Sequence, residues 1–132
     1  MATTCSTDQK DLAGRKLTLL LVWGLPTVVL IASTLANPIL KTTVWTASLL
    51  WMGLACVVNA SRCGRMHCYF TGPFFLLLAL ASLLHGLGII SFGPNSWRWI
   101  GITLLLGGII LNYIPERIWG KYVARPPASS LE

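Results

Sequence analysis

Residues Leu17 to Ala36 read LTLLLVWGLPTVVLIASTLA. The run has no charged residue, and its twenty positions rise roughly 30 Å as a helix, enough to cross the hydrocarbon core of a bilayer. Charge is costly in hydrocarbon, so a run this long that excludes it reads as a membrane span. A secretory signal has a shorter apolar region. Although Ala32-Ser33-Thr34 imitates a cleavage site, we read a retained helix. Pro26 sits near its middle after Gly24. It removes a backbone donor and crowds the preceding turn, so a kink is expected there. Asn37-Pro38 ends the run.

Three more apolar runs follow, at Thr42 to Ser61, Pro73 to Phe92 and Trp99 to Ile114. Pro73 is placed as the first residue of its helix, and Pro115 as the stop of the last one. The fold class expected is all-α: a polytopic membrane protein with four transmembrane helices arranged as two helical hairpins. Residues 1–16 form a polar tail, 17–122 the membrane domain with a Cys-containing central loop over 61–72, and 123–132 a tail expected to be disordered. Composition agrees, since 55% of the 132 residues are hydrophobic and only 11% charged, against about 25% charged in a typical soluble domain.

The net charge of +6 does not indicate nucleic acid, because the basic residues are scattered at the ends of apolar runs. Lys10, Arg15, Lys16, Arg62, Arg65, Arg117, Lys121 and Arg125 fall on one side of a four-span model, leaving Lys41 and Arg98 for the other. The positive-inside rule then places both termini and the central loop in the cytoplasm, with the plasma membrane as the expected location. The lipid bilayer is the expected partner, together with a homo-oligomer or a larger membrane complex.

The stretch carrying most chemistry is Ser61-Arg62-Cys63-Gly64-Arg65-Met66-His67-Cys68-Tyr69. On a straight helix Cys63 and Cys68 would point about 140° apart. They converge only if the segment loops, which Gly64 favours because it reaches positive φ at little cost. Thiolates prefer soft ions such as Cu(I) and Zn(II), and Arg62 and Arg65 favour thiolate nearby. The expected metal ligands are Cys63, Cys68, His67 and, from the second span, Cys56, all in a compartment where thiols stay reduced. The simpler reading treats Cys56 as a small apolar helix residue, Cys5 as incidental, and the two arginines as topology signals.

Other polar positions carry less. His85 lies near the outer end of the third run, where a neutral imidazole bonded to a carbonyl is the preferred reading. No acidic residue falls within the expected spans, which argues against a carboxylate proton relay and against a nucleophile–histidine–acid set. In size and cysteine use the chain is loosely similar to the small bacterial mercuric-ion transport proteins. It departs from their pattern in having no vicinal cysteine pair in its first span.

The leading expectation is a membrane protein that binds or moves a soft heavy-metal ion of the mercury, copper or zinc type. A four-helix membrane thiol–disulfide oxidoreductase and a non-catalytic subunit of a membrane complex are the alternatives. No catalytic residue is assigned, and a soft metal ion is the one cofactor considered.

Overall fold

A computed structural model describes residues 15–120. Both terminal tails, including Cys5, lie outside the described residues. The described chain is all-helical, with four helices long and apolar enough to cross a membrane: α1 (Lys16–Leu35), α2 (Pro38–Cys63), α3 (Met66–Gly86) and α4 (Ser96–Trp119).

Each helix packs mainly on its sequence neighbour, and α1 makes no packing contact with α4. The most extensive pairing is between α2 and α3. Glycine permits it. A Cβ at Gly53 would lie 2.9 Å from Leu76 Cδ2, and one at Gly72 would lie 2.9 Å from Val57 Cγ2 and 3.3 Å from the Val57 backbone nitrogen. Small residues let helix backbones approach where lipid offers no hydrophobic drive to association. The core follows this seam through Leu49, Met52, Cys56, Ala60, Cys68, Phe75 and Ala79. The outer faces carry large apolar side chains such as Leu17, Val28, Leu77 and Leu105, each more than 60% exposed, which suits contact with acyl chains.

The helix boundaries differ from the sequence expectation in instructive ways. Around Pro26 the α-helical ladder is rewound into a π turn over Leu20–Gly24, a wider turn that accommodates a residue without an N–H. The Asn37 side chain caps α2 by accepting from Leu40 N at 2.8 Å, and Pro38 occupies the first turn.

The expected loop over 61–72 is almost absent. Gly64 closes α2 at φ 62°, donating to the Ala60 carbonyl at 2.8 Å, and the extended Arg65 leads straight into α3. Pro73 therefore lies inside α3, not at its start, with its ring on the exposed face. Pro115 likewise fails to stop α4, which runs on to Trp119. A proline costs one helical hydrogen bond, but each of these helices is held in place by packing against its neighbour. At the opposite end, α3 stops at Gly86, short of Phe92. His85 Nδ1 there donates to the Ile90 carbonyl at 3.0 Å, and the ring meets Trp97 edge-on.

Candidate functional site

The polar cluster lies at the end of the bundle where Arg62, Arg65 and Arg117 are found. On α2 the buried positions Cys56, Asn59, Ala60 and Cys63 recur at the three- and four-residue spacing of one helix face. On α3 the buried face begins with His67, Cys68, Thr71 and Gly72. Because the connection between the helices is a tight turn, these two faces meet at once. Thr71 donates to the His67 carbonyl at 2.8 Å, so its hydroxyl is satisfied within its own helix.

Cys56 and Cys68 are free thiols, completely buried and close enough to interact. Asn59 Nδ2 donates to Cys68 Sγ at 3.6 Å. The Trp23 side chain of α1 is within hydrogen-bonding reach of Cys56. His67 bridges outward from this pair. Its Nε2 lies 3.3 Å from Cys68 Sγ, and its Nδ1 lies 2.5 Å from Glu116 Oε1. The same carboxylate oxygen accepts from Arg65 Nε at 3.1 Å. Stacking of Phe70 on Trp119, with centroids 5.9 Å apart, joins α3 to α4 beside this network. All four helices thus contribute a side chain to one site.

The arrangement can do two things chemically. A carboxylate on one imidazole nitrogen fixes the ring and its tautomer, leaving the other nitrogen to accept a thiol proton or to ligate a metal. Two neighbouring thiols can share one soft ion or close into a disulfide.

The four residues expected as metal ligands are only partly brought together. Cys68 has Cys56 near it on one side and His67 on the other. Cys63 is disulfide-bonded, so the expected Cys63–Cys68 partnership is not what forms across the turn. The reason is geometric: the segment remains helical on both sides of Gly64, and Cys56 approaches Cys68 across the α2–α3 seam. The disulfide also departs from the expectation that every thiol at this end is reduced. Among the described residues, no group of three or more His, Cys, Asp or Glu side chains is arranged to hold a metal ion.

Glu116 escapes sequence reasoning, because Pro115 reads as the end of the last span. The Trp23 and Asn59 contacts with the thiols escape it as well. The available signal for Glu116 was charge matching: an acid at the same membrane end as Arg65 and His67. No family model matches the chain, and no curated protein or solved structure is significantly similar to it.

Proposed function

We propose that this multi-pass membrane protein binds a soft, thiophilic metal ion between Cys56 and Cys68 and passes it between the membrane domain and the aqueous face at its basic end. One observation carries the reading: two free thiols from adjacent helices stand close enough to interact in a fully buried site. Two sulfur ligands without a full tetrahedral set suit Cu(I) or Hg(II) better than Zn(II), which seeks four ligands in structural sites. Burial favours an ion over a bulky disulfide substrate, because an ion needs little room to enter. His67 would lend its Nε2, and Glu116 would orient that ring as carboxylates do for metal-bound histidines. The positive-inside distribution supports a cytoplasmic basic end in the plasma membrane. A domain this small has little room for a private channel, which supports a homo-oligomer.

The second reading is a thiol–disulfide oxidoreductase. The coexistence of a disulfide at Cys63 with a free dithiol at Cys56 and Cys68 favours it, as does the Glu116–His67–Cys68 relay. Titration of the detergent-purified protein with Cu(I) against a chromophoric competitor separates the two. Cys56→Ser and Cys68→Ser should each lose nearly as much affinity as the double variant, while Cys63→Ser retains most of it. Equal binding by wild type and the double variant rules out the site. A dithiol that binds no ion but cycles with a quinone supports the oxidoreductase.

A further inference from the structure

A second feature lies at the opposite end, between helices that do not touch. Because α1 and α4 make no packing contact, a groove of about 480 Å³ opens between them, floored by α2 and Phe75 of α3. Its walls are aliphatic, with Leu30 and Ile31 facing Leu105 and Ile109. Thr34, where α1 closes, and Arg98, where α4 opens, stand at one end, while Thr27, two turns further along α1, spends its hydroxyl on the Trp23 carbonyl at 2.6 Å. Arg98 makes no ion pair among the described residues. Trp45 also lines the groove. It is 5% exposed, it meets Trp97 edge-on with centroids 5.5 Å apart, and its indole N–H is buried without a hydrogen-bond partner.

We propose that this groove seats one acyl chain of an anionic phospholipid, with the lipid phosphate paired to Arg98. Length argues for a single chain from one leaflet. From Arg98 to Ile109 the groove runs along twelve residues of α4, a rise of roughly 16 Å, or half the hydrocarbon core of about 30 Å. Its lining on α1 and α2 comes from matching halves, residues 27–34 and 45–52. A helix from a second copy would need a groove along the whole span. The order of chemistry along the groove is also that of a lipid. A cation, Arg98, stands exposed at the headgroup level. Below it the lining is apolar apart from Thr27, whose hydroxyl is already bonded within its own helix.

Native mass spectrometry of the full chain tests this, after exchange into vesicle-derived phosphatidylglycerol or phosphatidylcholine and release by mild detergent. The wild type should retain one lipid and prefer phosphatidylglycerol by about tenfold, the discrimination expected of a charge-assisted contact. Arg98→Gln should erase the preference while the zwitterionic lipid still binds. Gly108→Phe should abolish retention of both, since a Cβ at Gly108 meets nothing within 4 Å and the ring would fill the groove. Leu105→Trp offers a second filler should the first variant fold poorly. Equal retention by wild type and fillers overturns the proposal, as does an unchanged preference in Arg98→Gln. A stable dimer whose interface covers Leu105 and Ile109 would assign the groove to a second copy and overturn it too.

Discussion

Replacing Glu116 with glutamine removes one charge and little volume at the junction of α3 and α4. The carboxylate oxygen it alters receives both Arg65 Nε at 3.1 Å and His67 Nδ1 at 2.5 Å. At an effective dielectric of about 20, a unit pair at the Arg65 distance attracts by roughly 5 kcal/mol. Desolvation of the partners cancels much of that in the native protein. The variant loses the attraction but keeps most of the desolvation, because Arg65 and His67 stay largely buried at 14% and 9% side-chain exposure. The larger consequence falls on the ring. A carboxamide can accept from Nδ1–H, yet it can also rotate and donate, so the tautomer that leaves Nε2 facing Cys68 is no longer enforced. Loss of such an orienting partner lowers metal affinity by about 10- to 100-fold. We expect a Cu(I) affinity reduced in that range for Glu116→Gln, measured by competition in detergent. Arg65→Gln is the control: it removes the ion pair but leaves the carboxylate on the imidazole, so affinity should change by no more than a few-fold. Affinity for Glu116→Gln within twofold of wild type, or equal losses in both variants, would refute the positioning role.

Gly72→Val should destabilise the bundle by about 1–3 kcal/mol through overpacking, because Val57 already occupies the space a side chain would need. Chemical denaturation in mixed micelles reads this out, and a wild-type midpoint would show that the α2–α3 seam can part without cost. Pro26→Ala should allow the π turn at Leu20–Gly24 to rewind as α-helix, which rotates Trp23 away from Cys56. A change in Trp23 fluorescence, in a variant with the other tryptophans replaced by phenylalanine, measures it; an unchanged spectrum means the π turn has another cause. Reporters fused at either terminus should signal cytoplasm, and one placed after Pro94 should signal the outside. Termini on opposite sides would contradict the four-span crossing.

The bilayer made the fold legible. Runs such as Leu17–Ala36 leave a chain few options, since lipid forces each backbone polar group into a helix. The boundaries were harder to read for the same reason. In water Pro73 and Pro115 would mark helix ends, but neighbouring helices here hold them within one. That error concealed Glu116, because an acid after a proline stop reads as part of an aqueous tail. His67 and Cys68 were legible from composition and adjacency. The partner of Cys68 was not, because spacing ranks Cys63 first and only the α2–α3 crossing brings in Cys56. The groove beside Arg98 leaves no pattern in the sequence at all, as it arises from two helices failing to meet.

The two-residue turn at Gly64 and Arg65 has a consequence for the order in which the site is made. Cys56 and Cys68 stand only twelve positions apart, on a hairpin that is synthesised and inserted before α4 exists. Glu116 follows forty-eight positions after Cys68, on the final helix. A half-made chain therefore holds a paired dithiol whose imidazole has no carboxylate to orient it. The contacts of the site are completed only when the last span docks, and a chain stalled before it would hold the two thiols without the Glu116–His67 pairing.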